Sequence, residues 1–135
     1  MKMAIVEPLW LRLHAALLAF SEKLEKIDSS LICDLGRIQN DAFLLRAYLA
    51  FRRGAGNEEV AITVDVQSDG KQMKIESDAC KDDGTVLAVG PFAEIQLSED
   101  DLGVQHALDG WVREFEQFLS DSETEIVAAA SRLDN

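Results

Sequence analysis

The sequence predicts a single-domain α+β protein over residues 1–135: an N-terminal helical hairpin, a three- to four-stranded antiparallel β-meander and a C-terminal helix. Apolar residues recur every three or four positions near both ends, which is typical of helices. Between the ends they alternate at every second position, which is typical of strands. We therefore expect a helical part (8–53), a meander (58–97) and a helical part (99–133) that packs on one face of the sheet.

Two apolar stripes define the N-terminal part. The first is Trp10, Leu13, Leu17, Phe20, Leu24 and Ile27, and the second is Leu31, Leu35, Ile38, Ala42, Leu45 and Leu49. Asp28, Ser29 and Ser30 between them are good N-cap residues, which favours two helices. Because no Gly or Pro intervenes, one long helix over 9–50 stays an alternative, although it would bury Asp34 and Asp41 at its seam.

The stretch DVQSDGKQMKIE, Asp65 to Glu76, resembles both a calcium-binding loop and a β-hairpin. Its third position is Gln67 where such a loop prefers Asp or Asn, and both flanks alternate at every second residue instead of forming helices. The hairpin is therefore favoured, and no metal or other cofactor is expected.

The hairpin turn should contain Asp69 and Gly70 in a two-residue type I′ conformation. That turn sets apolar residues opposite each other on one face and opposite charges on the other. The predicted pairs are Val64 with Ile75, Val66 with Met73, Ser68 with Lys71, and Asp65 with Lys74.

A second turn, in KDDGT, is predicted to be a three-residue loop, Asp82 to Gly84, with Gly84 in the left-handed conformation. It would place Ala79 opposite Leu87 and Ser77 opposite Val89. The dipeptide Gly90–Pro91 should then interrupt the strand. Alternation resumes beyond it at Ala93, Ile95 and Leu97.

The C-terminal helix is predicted from Ser98, which is followed three residues later by Asp101 as in a capping signal. Its core stripe is Val104, Leu108, Trp111, Phe115, and Phe118 or Leu119. A second capping stretch, SDSE at 120–123, suggests a bend near Ser120 before Ile126, Val127, Ala130 and Leu133.

The charge is strongly negative and unevenly distributed. Residues 1–53 hold eight Lys or Arg and six Asp or Glu, whereas residues 54–135 hold five and nineteen, which gives −12 in total. Binding to nucleic acid or to an anionic membrane requires clustered cations, so neither is an expected partner. Without a recognisable leader or membrane span, and with only Cys33 and Cys80, we expect a cytoplasmic protein with reduced thiols.

Catalytic motifs are absent from the sequence, including G-x-S-x-G, H-E-x-x-H and a Gly-rich phosphate loop. The only thiol and imidazole pair worth considering is Cys33 with His106, for which we find no oxyanion site. We therefore expect a protein that is not an enzyme.

Two surfaces are candidates for binding. Carboxylates on the outward face of the predicted sheet and at its turn would form either a solvated surface or a site for a basic protein: Asp65, Glu76, Asp78, Asp82, Asp83 and Glu94. The predicted second helix has more apolar circumference than one core contact needs, which would suit pairing with a second copy: Phe43, Leu44, Tyr48 and Phe51.

These observations favour a non-enzymatic module that binds a basic protein, as an inhibitor, an immunity-like protein or a small chaperone would. A homo-oligomeric structural or adaptor protein is the alternative, and an enzyme that uses Cys33 and His106 is the third hypothesis.

Overall fold

A helix at each end of the chain and six strands between them make up the fold of the computed structural model, which describes residues 2–98 and 100–134. The elements are α1 (Lys2–Ile27), β1 (Leu31–Ile38), β2 (Leu45–Arg53), β3 (Val60–Ser68), β4 (Gln72–Lys81), β5 (Val86–Val89), β6 (Ala93–Gln96) and α2 (Asp101–Ser131). All six strands belong to one antiparallel sheet. The predicted α+β class is therefore confirmed, with more strands than expected.

The sheet follows the order of the chain, β1-β2-β3-β4. Beyond β4, two short strands share one position: β5 pairs with Asp78–Cys80 and β6 pairs with Gln72–Ile75. The sheet consequently has β1 along one edge, and β5 and β6 end to end along the other.

Both helices pack on one face of the sheet, and their apolar stripes meet the inward side chains of the strands in a single core. Every second residue of the central strands is buried, as in Leu45, Ala47, Leu49 and Phe51 of β2. Phe115 of α2 is fully buried, and its ring stacks on that of Trp111 with centroids 5.2 Å apart. The predicted stripe of α2 is thus confirmed as a core stripe.

The helical hairpin over 8–53 is wrong in its second half, and so is the single long helix. α1 ends at Ile27, and the segment from Leu31 to Arg53 is the β1–β2 hairpin. Its leucines fit helical spacing, but Leu45, Ala47, Leu49 and Phe51 also alternate at every second residue, so the two periods coincide there.

Local side-chain hydrogen bonds explain why this segment turns instead of continuing as a helix. The Asn40 Oδ1 atom accepts hydrogen bonds from the amides of Ala42 and Phe43, at 2.8 and 3.0 Å, which closes the β1–β2 turn. The Asp28 carboxylate accepts hydrogen bonds from the amide and hydroxyl of Ser30. Asn and Asp favour such turns, and here they compete successfully with the helix.

The β3–β4 hairpin is confirmed, but its register is shifted by two residues, with Val66 opposite Ile75 and Asp65 opposite Glu76. A type I′ turn needs a positive φ at both central residues, whereas only Gly70 has one, at 92°. The Asp69 carboxylate instead accepts hydrogen bonds from the amides of Lys71 and Gln72, both 2.9 Å long, and widens the loop. Because the shift is even, every side chain keeps its predicted face.

The β4–β5 turn is the predicted three-residue loop, closed by the Lys81 amide donating to the Thr85 carbonyl oxygen at 2.8 Å. Gly84 has the expected positive φ, 90°. A register shift follows, so that Ala79 faces Ala88 and Asp78 faces Val89, and both predicted pairs are wrong by one residue. The interruption at Gly90 and the resumption at Ala93 are confirmed.

α2 begins after Asp100, not after Ser98. The Asp100 Oδ1 atom accepts a 2.7 Å hydrogen bond from the amide of Gly103, which makes Asp100 the N-cap. The helix runs without a break through Ser120 to Ser131, so the second capping stretch is not used. Residue 99, the first of the predicted C-terminal part, lies outside the described residues.

Arg53 connects the ends of both helices to the sheet. Its guanidinium donates to the carbonyl oxygens of Ala130 and Leu133, at 2.9 and 3.2 Å, at the C-terminal end of α2. It also donates to the Ser30 hydroxyl and lies 2.7 Å from the Asp28 carboxylate. These bonds, first that to Arg53 and then those to Ser30, lower the pKa of Asp28 to about 2.

Asp28 therefore contributes a stabilisation that depends on pH. Since its pKa is depressed in the folded state, its contribution is present above pH 3.8 and is lost as the pH falls from 3.8 towards 2. We expect Asp28→Asn to destabilise the protein at neutral pH and to have little effect near pH 2. Urea unfolding across this range measures the difference, which should be much smaller when Arg53→Gln is also present.

Candidate functional site

The sheet face opposite the helices is uncovered. Outward residues of four neighbouring strands form a row across it, Tyr48, Thr63, Asp78 and Val89. The first three are partly buried, whereas Val89 at the end of the row is 79% exposed. An apolar side chain this exposed on a rigid strand is a candidate contact for a partner.

Four of the predicted partner-binding carboxylates lie on this uncovered face: Asp65, Glu76, Asp78 and Glu94. Asp65 is held in a two-pronged ion pair by Arg46, with Nε–Oδ1 at 2.6 Å and Nη2–Oδ2 at 3.0 Å. Asp78 accepts a 2.9 Å hydrogen bond from the Thr63 hydroxyl, and Glu94 faces Lys74 across the strands. Glu76 is exposed and directly opposite Asp65.

The other two predicted carboxylates, Asp82 and Asp83, lie in the β4–β5 turn and order its backbone. Asp82 accepts a 3.3 Å hydrogen bond from the Glu59 amide, and Asp83 accepts a 2.9 Å bond from the Thr85 amide. The hydroxyl and amide of Thr85 lower the pKa of Asp83. Both side chains therefore have structural roles, while their charges extend the acidic surface at this end of the sheet.

α2 has a net charge of −6, which is half of the protein's −12, whereas the strands of the sheet are close to neutral. The strands balance their acids with cations, including Arg46 and Arg52 on the uncovered face. α2, by contrast, has one cation, Arg113, and seven carboxylates: Asp101, Asp109, Glu114, Glu116, Asp121, Glu123 and Glu125. This concentration of charge was not predicted, because the prediction of the helix depends only on its apolar core stripe.

A groove of about 480 Å³ lies beside the acidic helix α2. It runs between the end of β5 and α2, and we name it the β5 groove. Its lining includes Val89, Gly90, Pro91, Glu114, Phe118 and Asp121. Gly90 can lie against α2 because it has no side chain: an added Cβ would be 3.2 Å from the Phe118 ring. The groove thus has an apolar floor and two carboxylates on its helical wall.

The four residues of the predicted oligomer surface do not lie together on one surface. Phe51 is buried in the core, whereas Tyr48 lies on the uncovered face with its ring over Gly36. Phe43 and Leu44 are partly buried in the preceding turn, where the Arg46 guanidinium lies 4.1 Å from the Phe43 ring centre. These residues would share a helix face, but alternation in a strand separates them.

The Cys33 and His106 pair gains no support from the geometry. Cys33 is partly buried on β1, where burial and then the charge of Glu25 raise its pKa, which opposes formation of a thiolate. His106 is exposed on α2, and within residues 2–98 and 100–134 no hydrogen bond joins the two side chains. Cys80 is also a free thiol with a raised pKa, caused first by burial and then by Asp78.

The same described residues lack two further features. They contain no group of three or more His, Cys, Asp or Glu side chains arranged to hold a metal ion. Neither described helix has a stretch that is both long and apolar enough to cross a membrane.

Comparison of the chain with models of protein families, with characterised proteins and with solved structures gives no match.

Proposed function

We propose that this protein is a non-enzymatic binding module that holds a basic, partly apolar segment of another protein in the β5 groove. The observation that carries the proposal is the position of Val89, 79% exposed on an edge strand beside Glu114 and Asp121. This combination favours a partner segment with both apolar and cationic side chains.

The backbone of β5 suits an added strand. β5 pairs with β4 on one side, and its other side faces the groove, so its outward N–H and C=O groups are available to an extended segment. Val86, Val89 and Phe92 are each more than half exposed and supply apolar contacts near this edge. Main-chain pairing would provide affinity, and the neighbouring side chains would provide selectivity.

The surrounding charge supports a cationic partner. Glu114 and Asp121 line one wall of the groove, and Asp78 lies directly across from Val89 on the sheet. With a net charge of −12, the whole protein would attract a basic protein and repel an acidic one. This fits an inhibitor, an immunity-like protein or a small chaperone that covers a cationic partner. A cytoplasmic location belongs to the same proposal, supported by the two free thiols.

A peptide-binding measurement tests the groove. We expect a fluorescent peptide of about ten alternating lysine and valine residues to bind, and a glutamate and valine peptide not to bind. The double variant Glu114→Lys and Asp121→Lys should weaken binding of the first peptide about tenfold or more, which is about 1.4 kcal/mol. Fluorescence anisotropy measures both affinities, and the first should fall as salt is added.

The matched control is Glu22→Lys with Glu116→Lys. Both residues are exposed on the helices and outside the lining of the β5 groove, and the variant changes the net charge by the same amount. It should therefore lose much less affinity than the groove variant. Equal losses in the two variants would show that the peptide responds only to net charge, and the groove would then not be the binding site.

A further inference from the structure

The opposite edge of the sheet carries a second interaction surface, independent of the proposed function. In the described part of the chain, β1 pairs only with β2, which leaves the outer edge of an eight-residue strand free. Ile32 and Ile38, on its helix-free face, are 43% and 44% exposed. A long edge with exposed isoleucines and no proline is a template for pairing with another strand.

Exposed leucines of α1 lie on the same side of the molecule. Leu11 and Leu18 are 65% and 41% exposed and are seven residues apart, so they share a helix face, which continues to Glu25. Glu7 lies four residues before Leu11, on the same face of α1, and forms an ion pair with Arg37 of β1, so this face of α1 adjoins β1. Apolar residues of both elements are therefore exposed beside one edge.

The neighbouring side chains support this placement. Arg37 of β1 forms a 2.8 Å ion pair with Glu7 of α1, and its guanidinium lies 5.3 Å from the ring centre of Trp10. These contacts hold α1 against β1. They do not cover the outer edge of the strand.

We propose that β1 pairs with β1 of a second copy of this chain, antiparallel about a two-fold axis at Leu35, so that one sheet continues across a homodimer. In this register Ile32 of each copy faces Ile38 of the other, Asp34 faces Gly36, and Cys33 faces Arg37. Exposed isoleucines thus cover each other on the helix-free face.

The strand sequence selects this register. In an antiparallel pair, residues directly opposite each other lie on the same face of the sheet. The two-fold axis of a symmetric pair must therefore pass through a residue, which then lies opposite the same residue of the second copy. Centring on Asp34 or Arg37 places like charges together, and centring on Gly36 sets Asp34 against Ile38. Centring on Cys33 sets Ile32 against Asp34, so Leu35 is the centre that pairs the isoleucines.

The dimer and the binding of a basic partner respond oppositely to salt. Two copies that each carry −12 repel, so added salt should strengthen an interface formed by backbone pairing and apolar contacts. The same salt should weaken capture of a cationic segment. Failure of the dimer therefore leaves the proposed function untouched, and the two proposals are tested separately.

Solution mass tests the dimer. The full chain should have twice its 14.9 kDa monomer mass at micromolar concentrations by light scattering, and Ile32→Asp with Ile38→Asp should return it to a monomer. Both side chains are partly exposed, so the far-ultraviolet circular dichroism of the variant should match that of the parent. Val86→Asp with Val89→Asp, which introduces the same charges at the other edge, should leave the dimer intact. A parent monomer, or a dimer that survives the isoleucine changes, would overturn the proposal.

Crosslinking tests the register. With Cys33→Ala and Cys80→Ala in place, Leu35→Cys should oxidise to a disulfide-linked dimer, because opposite Cα atoms are about 4.5–5.5 Å apart and a disulfide spans that distance. Ile32→Cys in the same background should not crosslink to itself, since the two copies of residue 32 would be about 20 Å apart. Efficient crosslinking through residue 32 and none through residue 35 would refute the Leu35-centred pairing.

Discussion

Phe115→Ala is expected to lower the free energy of unfolding by about 3–5 kcal/mol, because it removes a fully buried ring and leaves a cavity between α2 and the sheet. The loss includes contacts with the rings of Trp111 and Phe118, whose centroids are 5.2 and 6.0 Å away. Urea unfolding followed by tryptophan fluorescence and circular dichroism measures the change.

Phe92→Ala is the matched control. It makes the same substitution at a side chain that is 53% exposed, so the change in unfolding free energy should be within about 0.5 kcal/mol. Comparable losses in the two variants would contradict the assignment of Phe115 to the core.

Gly90→Ala is expected to destabilise the protein by about 1–3 kcal/mol through overpacking. A Cβ at this position would lie 2.2 Å from the Ser77 hydroxyl oxygen and 3.2 Å from the Phe118 ring. The Ser77 hydroxyl cannot move freely, because it donates a 3.0 Å hydrogen bond to the Pro91 carbonyl oxygen, which Trp111 also contacts at 3.2 Å. Thermal and urea unfolding measure the loss.

Gly110→Ala should have the opposite effect. Gly110 lies inside α2, and an added Cβ would meet no atom within 4 Å. Alanine is favoured over glycine in a helix, so this variant should gain about 0.5–1 kcal/mol. A loss at residue 110, or no loss at residue 90, would mean that the local packing differs from the structure.

The β3–β4 hairpin could be predicted from the sequence, whereas the β1–β2 hairpin could not. Around Asp69 and Gly70, alternation and turn residues indicate the same structure, and only the register depended on the carboxylate of Asp69. Between Leu31 and Arg53, the spacing of the apolar residues fits a helix and a strand equally well. The turn at Asn40 determines which of the two forms. The helical prediction depends on the spacing of the apolar residues and on the capping preference of Asp28 to Ser30, and the turn preference of Asn40 does not enter it.

The candidate site was predictable in part for a similar reason. Strand alternation placed Asp65, Glu76 and Asp78 on one face without knowledge of the tertiary structure. The β5 groove could not be predicted, because it forms where Gly90 and Pro91 approach α2, and that approach depends on the packing of residues distant in the sequence. Glu114 and Asp121 could have been found as acidic positions on the polar side of the predicted helix, but nothing local connects them to Val89.

The order of the strands also has a consequence for how the chain folds. From β1 to β5 each strand pairs with the next one in the sequence, so the sheet can form from neighbouring segments at a low cost in loop closure. The contacts between α1 and α2, such as the ion pair of Arg12 with Asp109, join residues 97 positions apart. We therefore expect the central hairpins to be structured in the folding transition state, with docking of the two helices against each other completing the native state afterwards.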